Sequence, residues 1–195
     1  GYAVCISYAS NRDAAEAVAD AIAKSGGRSA VVQADVAVEA DVVRLFATVD
    51  ALFGRIDALV NNAGMLETQM RVEQMDAGRL TRVLAVNVTG TFMCRREAVR
   101  RMSTRHGGHG GAIVNVSSAA ARLGSPGEYV DYAAAKAAVD TLTIGLSKEV
   151  GEEGIRVNAV RPGPIHTEIH ASGGEPGRVH RLAPTIPMKR GGQPQ

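Results

Sequence analysis

The sequence predicts an α/β fold built on a doubly wound parallel sheet. Segments typical of buried strands alternate with segments typical of amphipathic helices along the chain, and this order favours a parallel sheet with helices on both faces. Several strands end in small or polar residues, as at Asn61-Asn62-Ala63-Gly64 and at Ser117-Ser118. Ligands bind beyond the carboxyl ends of the strands in such sheets, so we expect the functional site there.

Composition narrows the class of protein. The chain has 195 residues, 45% of them hydrophobic and 22% charged, which is typical of one soluble globular domain spanning residues 1–195. The net charge of +2 gives no reason to expect a nucleic acid partner. No apolar run reaches the roughly 20 residues of a membrane span. We therefore expect no membrane partner and, with Cys5 and Cys94 interpreted as inert thiols, a cytoplasmic location.

The first half of the chain alternates three predicted strands with two helices. The strands are Tyr2–Tyr8, Ser29–Ala34 and Ile56–Val60. Ser10 or Asn11 can cap the first helix, and Gly26-Gly27 end it. The second helix runs from about Glu39 to Phe53 and carries an apolar stripe along one face.

The second half begins with a long predicted helix from Leu80 to about Arg105. Its arginines predict a solvated or subunit-contact face; they are Arg95, Arg96, Arg100, Arg101 and Arg105. The segments that follow are the strand Ala112–Val116, the loop Leu123–Gly127, a helix that ends at Val150 and the strand Ile155–Val160. The histidines His106, His109, His166, His170 and His180 lie in loops without a supporting ligand cluster, so we predict no metal site.

The strongest chemical signal is the pair Tyr132 and Lys136. Residues four apart lie on one face of a helix, one turn from each other. A phenol has a pKa of about 10, and a nearby ammonium is expected to lower it. A tuned phenol can exchange a proton with a carbonyl or alcohol oxygen while a serine hydroxyl holds that oxygen.

These motifs resemble the short-chain dehydrogenase/reductase family, which has an Asn-Ser-Tyr-Lys site on a Rossmann-like fold. The resemblance assigns catalysis to Asn87, Ser118, Tyr132 and Lys136. Asn87 lies in an N-x-x-G element, and a structural kink is its alternative role. Ser118 matches the family better than Ser117, and Tyr129 lacks a lysine four residues on.

The same resemblance implies a dinucleotide site. Asp35 with Val36 would contact adenine, although Asp35 could instead cap a helix. The NNAG motif would line the adenine ribose, although Asn61 could be mainly structural. Tyr132 and Lys136 would also meet the nicotinamide ribose. The other residues implied to bind the cofactor are Ala63, Gly64, Pro162, Gly163, Ile165 and Thr167.

In this family, the residue at the end of the second strand of the sheet helps to select between NAD and NADP. Enzymes that prefer NAD place an acidic residue there, whereas this chain has Tyr8 followed by Ala9, Ser10, Asn11 and Arg12. The hydroxyl, amide and guanidinium of the last three would suit a 2′-phosphate. We therefore predict NADP rather than NAD, with a solvated Arg12 as the alternative.

Two parts of the family pattern are not found in the sequence. They are the first strand with its glycine-rich turn and the last edge strand. The first strand is central in the family's sheet, so we expect this segment alone to be unstable or inactive unless its neighbours pair directly or the full protein carries more chain. Residues 165–195, rich in glycine and proline, are predicted to form a lid over the substrate.

The sequence therefore predicts an NADP(H)-dependent oxidoreductase that interconverts a small carbonyl compound and a secondary alcohol. The alternatives are a glucose or other sugar 1-dehydrogenase of the same family and a non-catalytic fragment unable to bind cofactor. Helices at Leu80–Arg105 and Tyr132–Val150 match the family's subunit interface, so we expect a homotetramer or a dimer.

Overall fold

The computed structural model, which describes residues 1–194, contains two parallel sheets. The two-stranded sheet pairs β1 with β2, and the three-stranded sheet has the order β3-β4-β5. The strands are β1 Ala3–Tyr8, β2 Arg28–Gln33, β3 Ala58–Asn61, β4 Gly111–Val116 and β5 Ile155–Val160. Helices alternate with them, so the predicted α/β class is confirmed, with strand ends within about two residues of the predicted ones.

The helices flank these strands in chain order. Their bounds are α1 Arg12–Lys24, α2 Glu39–Phe53, α3 Ala77–Leu84, α4 Thr91–Met102, α5 Ala120–Leu123, α6 Val130–Glu149, α7 Ile169–Ser172 and α8 Arg178–Leu182. Asn11 is the N-cap of α1 and accepts a hydrogen bond from the Ala14 amide at 3.0 Å. No helix among residues 1–194 is long and apolar enough to cross a membrane.

The two sheets are not joined by strand pairing. β1 pairs only with β2, and β3 pairs only with β4. Within each sheet the strand order, β1-β2 and β3-β4-β5, agrees with one part of the doubly wound sheet that the resemblance implies. The direct pairing of the strands on either side, which would have repaired the sheet, does not occur among the described residues.

The helix predicted from Leu80 to Arg105 begins at Ala77 and ends at Met102, and a π-helical turn interrupts it. Helix α3 passes into a π-helical turn over Ala85–Gly90, and α4 continues from Thr91. Gly90 is required there, because a Cβ would lie 2.8 Å from the carbonyl oxygen of Val36. This wider turn directs the Asn87 side chain into the protein interior, and none of the surface of Asn87 is exposed.

The arginines of α4 do not form one solvated face, so that prediction was wrong for Arg95. Its side chain is buried, donating to Asn115 Oδ1 at 2.9 Å and to Thr143 Oγ1 at 3.3 Å. Burial lowers the pKa of its guanidinium to about 10. Helical periodicity turned this position inward, although its residue type is typical of a surface.

The remaining arginines of α4 are more exposed and form ion pairs. Arg96, Arg100 and Arg101 surround the buried carboxylate of Glu97, at 3.1, 2.9 and 2.8 Å. Arg101 also reaches Asp50 on α2 at 2.8 Å. The predicted solvated face is therefore partly a network that holds α2 against α4.

Residues 165–194 fold back over the sheet's carboxyl edge. Ile165 forms a bridge to Gly192, and the Gly192 amide donates to the Pro164 carbonyl at 3.0 Å. Arg178 on α8 pairs with Glu128, just before α6, at 2.6 Å. The bridge therefore joins the two ends of the segment, and the Arg178–Glu128 ion pair attaches α8 to the residues before α6. Residue 195 of the predicted lid lies outside the described residues.

A buried ion pair fixes the start of α6 against α3. Arg79 donates to the two carboxylate oxygens of Asp131, from Nε at 2.7 Å and from Nη2 at 3.3 Å, and both side chains are 3% exposed or less. Arg79 also donates to the Thr68 carbonyl. Asp131 Oδ1 accepts the amide hydrogen of Tyr132 at 2.9 Å. The pair therefore connects three segments of the chain around the Tyr132 backbone.

We predict that Asp131→Asn lowers the free energy of unfolding by about 3–5 kcal/mol, because it leaves the Arg79 charge buried without its partner. Glu16→Gln is the matched control, since it breaks the exposed Arg12–Glu16 pair and should cost less than about 1 kcal/mol. Urea denaturation measures both. Equal losses in the two variants would mean that the Arg79–Asp131 pair is not buried in solution.

Candidate active site

A cleft of about 680 Å³ lies at the carboxyl edge of the three-stranded sheet. Loops after β3, β4 and β5 form its floor, and α6, α7 and α8 form its walls. Most of the predicted site residues after Asn61 line it. They are Ala63, Gly64, Ser118, Tyr132, Lys136, Pro162, Gly163, Ile165 and Thr167.

Tyr132 and Lys136 lie one turn apart on α6, as predicted. The Lys136 ammonium lies 5.5 Å from the centre of the Tyr132 ring and donates to the Val116 carbonyl, at the end of β4, at 2.7 Å. Ser118 follows two residues after Val116, so β4 and α6 together bring a hydroxyl, a phenol and an ammonium to one cleft. This arrangement can hold and protonate a single oxygen atom.

The pKa of Tyr132 does not follow the sequence-based expectation. Burial raises the pKa of its phenol, and hydrogen bonding to Ser118 and the charge of Arg178 only partly offset that rise. The prediction that Lys136 lowers this pKa was therefore wrong for the site described here. The ammonium is held by the Val116 carbonyl, and the phenol is partly buried. At neutral pH the phenol is protonated and able to act as an acid.

Lys136 is itself strongly perturbed. Only 4% of the residue is exposed. Burial lowers the pKa of its ammonium to about 8, against the opposing charge of Asp140 one turn further along α6. Desolvation disfavours the charged form of a lysine. The residue thus stays largely charged at neutral pH but lies close to its own titration, as is common at functional sites.

Asn87 lies behind this group rather than in the cleft wall. Its side-chain amide exchanges two hydrogen bonds with the Met65 backbone, receiving from the amide nitrogen at 3.2 Å and donating to the carbonyl at 3.1 Å. A Cβ on Gly64 would lie 3.0 Å from Asn87 Oδ1 and 3.3 Å from Lys136 Nζ. Gly64 is therefore close to both the amide and the ammonium, which leaves little room for a side chain at this position.

Ser117 and Tyr129, the sequence neighbours that could be mistaken for Ser118 and Tyr132, have hydroxyls that are bonded to backbone carbonyls. The Ser117 hydroxyl is buried and donates to the Lys136 carbonyl at 3.2 Å. The Tyr129 hydroxyl is buried and donates to the Gly173 carbonyl at 2.9 Å. Neither hydroxyl is free to meet a substrate, which favours Ser118 and Tyr132 for that purpose.

The residues predicted to contact adenine do not line the main cleft. Asp35 is partly buried, and its carboxylate accepts the Ala37 amide at 2.9 Å. It does not cap α2, because Val38 occupies the N-cap position. Asn61 donates to Asn115 Oδ1 at 2.9 Å, consistent with a structural part for this side chain. Val36 packs against Gly90.

The residues predicted to select the nucleotide lie in the turn between β1 and α1, also away from the cleft-lining set. Asn11 uses its side chain as the α1 cap. Arg12 donates to Glu16 at 2.7 Å, and 70% of its side chain is exposed. An exposed and singly paired guanidinium remains able to meet a phosphate, and it is equally compatible with the alternative of a solvated helix residue.

Arg178 and Glu168 also line the cleft, although neither was predicted to contribute to it, and so does His170, which was expected in a loop. His170 and Arg178 lie on the short helices α7 and α8 of the predicted lid segment. His170 bonds to the Ile165 carbonyl at 2.9 Å, and burial lowers its pKa. Among residues 1–194 no cluster of three or more His, Cys, Asp or Glu could hold a metal ion.

Comparison with known proteins agrees with this geometry. A family model described as enoyl-(acyl carrier protein) reductase matches residues 1–195. The uncharacterized oxidoreductase YgfF of Escherichia coli K12 is 60% identical over 193 residues, covering 99% of this chain and 78% of the relative. A 3-oxoacyl-[acyl-carrier-protein] reductase of Synechocystis is 37% identical over 200 residues, covering 100% of this chain and 75% of the relative.

Solved structures give the same result. A short-chain dehydrogenase/reductase from Serratia marcescens superposes with a TM-score of 0.88 at 34% identity, covering 99% of this chain and 76% of that one. A short-chain dehydrogenase from Burkholderia cenocepacia in complex with NADP superposes with a TM-score of 0.88 at 28% identity and the same coverage. With the serine, tyrosine and lysine gathered in one cleft, the chain belongs to the short-chain dehydrogenase/reductase family of oxidoreductases.

Proposed function

We propose that the protein is an NADP(H)-dependent reductase of small carbonyl compounds, which also runs in reverse on secondary alcohols. The observation that carries this proposal is the convergence of Ser118, Tyr132 and Lys136 on one cleft. Bound NADPH supplies the hydride in this chemistry. The reaction converts a carbonyl, a hydride and a proton into an alcohol, and Tyr132 provides the proton.

Each residue has a distinct part in this proposal. Ser118 donates a hydrogen bond to the substrate oxygen, and the protonated phenol of Tyr132 transfers its proton to that oxygen. With its pKa raised, the phenol of Tyr132 is protonated at neutral pH, the form that can donate a proton to a carbonyl oxygen. Lys136, whose ammonium is held by the Val116 carbonyl beside the Tyr132 ring, binds the nicotinamide ribose. Asn87, in contact with the Met65 backbone, supports proton supply from behind Lys136.

The chain offers surfaces that suit the cofactor. Nothing lies within 4 Å of the Cβ position of Gly163 in the loop after β5, so a ligand can approach the backbone closely on that side. We assign the nicotinamide end to this loop, with Pro162, Ile165, Thr167 and Lys136. We assign the adenine end to Asp35, Val36, Asn61, Ala63 and Gly64, and the 2′-phosphate to Ser10, Asn11 and Arg12. The Burkholderia relative in complex with NADP supports NADP over NAD.

We also propose that residues 165–194 act as the substrate lid and that the protein self-associates as a dimer or tetramer. Phe92 on α4 is 50% exposed and Ile144 on α6 is 54% exposed. Large apolar side chains at these places suit burial against a second copy. The proposed location is the cytoplasm.

Tyr132→Phe tests the reaction. The variant keeps the ring but removes the acid, so we expect kcat/KM for carbonyl reduction to fall by about 100- to 10,000-fold. The readout is loss of NADPH absorbance. Tyr129→Phe is the matched control and should keep most of the activity, because its hydroxyl is bonded to Gly173. Comparable activity in Tyr132→Phe and in the wild type would overturn the proposed function.

Titration with NADPH and with NADH tests the cofactor assignment. Followed by nicotinamide fluorescence, NADPH should saturate at a lower concentration than NADH. Arg12→Met should bring the two affinities together, because it removes the charge assigned to the 2′-phosphate. Lys24→Met makes the same charge change at the other end of α1 and should leave the difference intact. Tighter binding of NADH by the wild type would reject the assignment.

Gly64→Ala tests the close approach behind the catalytic lysine. The added Cβ would press on Asn87 Oδ1 and Lys136 Nζ, so we expect kcat to fall by about 10- to 100-fold through misplacement of the lysine. Gly145→Ala on α6 is the control, since nothing lies within 4 Å of its Cβ position, and its activity should not change. Wild-type kcat in Gly64→Ala would show that the ammonium tolerates displacement.

A further inference from the structure

Asp140 on α6 carries a largely buried carboxylate that the proposed reaction does not use. It follows Lys136 by four residues, so the two side chains lie on one face of the helix, one turn apart. Only 11% of the Asp140 side chain is exposed. Carboxylates are rarely held this far from solvent unless a positive charge compensates them, so the charges around Asp140 indicate its role.

An arginine accounts for one of the two carboxylate oxygens. Arg161 donates from Nε to Asp140 Oδ2 at 2.7 Å, and 42% of the arginine side chain is exposed. Arg161 lies between β5 and Pro162, at the start of the loop assigned to the nicotinamide. The ion pair therefore holds the carboxylate, and with it the middle of α6, against the end of β5.

The second oxygen, Asp140 Oδ1, is buried and has no hydrogen-bond partner among residues 1–194. A buried carboxylate oxygen without such a partner is costly unless positive charge lies nearby. Lys136 supplies positive charge from the preceding helical turn. Its ammonium donates to the Val116 carbonyl at 2.7 Å, so the attraction between the ammonium and the carboxylate acts through space and does not need a direct bond.

The other groups around the Lys136 ammonium do not replace this negative charge. The phenol of Tyr132 is protonated at neutral pH, and the Asn87 amide and the carbonyl at the end of β4 are uncharged. Arg161 is positive and therefore disfavours the ammonium. Burial lowers the pKa of Lys136 to about 8, and the charge of Asp140 opposes that fall.

We propose that Asp140 is a positioning residue whose buried carboxylate keeps the Lys136 ammonium charged, while Arg161 holds that carboxylate in place. This rests on the proposed function, in which Lys136 binds the nicotinamide ribose. Asp140 does not line the cleft and takes no part in proton or hydride transfer. It sets the pH range of the cofactor site, because the ammonium is lost as pH rises through the pKa of Lys136 and a lower pKa brings that loss closer to neutral pH.

The test follows the Lys136 ammonium directly in the ligand-free protein. The chain contains four lysines, of which Lys136 is the buried one. With carbon-13 at the lysine ε-carbon, NMR reports the pKa of the ammonium, and the signal missing from Lys136→Arg belongs to Lys136. Asp140→Asn keeps the shape of the side chain and removes its charge, so we expect the pKa of Lys136 to fall by about one pH unit. An unchanged pKa would overturn the proposal.

Arg161→Met is the matched control. It breaks the same ion pair but leaves the carboxylate of Asp140 in place and removes a positive charge. The pKa of Lys136 should therefore stay the same or rise, in contrast to its fall in Asp140→Asn. An equal fall in both variants would mean that the ion pair only holds α6 against β5, and would reject an action of the carboxylate on the ammonium.

If Asp140→Asn folds poorly, Asp140→Leu replaces it, since leucine has a similar shape and buries no unpaired polar atom. The same fall in the pKa of Lys136 is expected, and its absence would again reject the proposal.

Binding of NADPH, followed by nicotinamide fluorescence, separates this inference from the proposed function. At about pH 8 Asp140→Asn should bind NADPH about fivefold more weakly than the wild type, and at about pH 6 equally well, because the lysine is then charged in both. A fall in the pKa of Lys136 without this difference would refute the cofactor role of the lysine, whereas the action of Asp140 on the ammonium would stand.

Discussion

The hydrogen bond from the Lys136 ammonium to the Val116 carbonyl is the link on which the site depends. It joins the middle of a helix to the end of a strand at 2.7 Å. The Ser117 hydroxyl returns a bond to the Lys136 carbonyl at 3.2 Å. Because these two bonds run in opposite directions between α6 and β4, the strand end that carries Ser118 cannot slide relative to the helix that carries Tyr132.

This link requires close packing on the side away from the cleft. Lys136 is charged and buried, so its desolvation must be offset by nearby polar groups. The π-helical turn brings the Asn87 amide to that side, and Gly64 is small enough to lie between them. A regular α-helix at 85–90 would rotate the residues that follow relative to α3. The irregular turn is thus part of the site.

The sequence predicted the features that follow from short-range patterns. The four-residue spacing of Tyr132 and Lys136, the strand ends and the α1 cap depend on neighbours in the chain, and the structure contains them. The π-helical turn, the burial of Arg95 and the cleft position of Arg178 depend on partners 20 or more residues away. No local pattern encodes such partners, and residue type alone suggested solvent-exposed arginines.

The raised pKa of Tyr132 fixes the protonation state in which the phenol meets a substrate at neutral pH. A protonated phenol can donate a proton to a carbonyl oxygen, and it must ionise before it can accept one from an alcohol. The Ser118 hydroxyl and the charge of Arg178 limit the rise, so these two cleft residues leave the phenol a stronger acid than burial alone would make it.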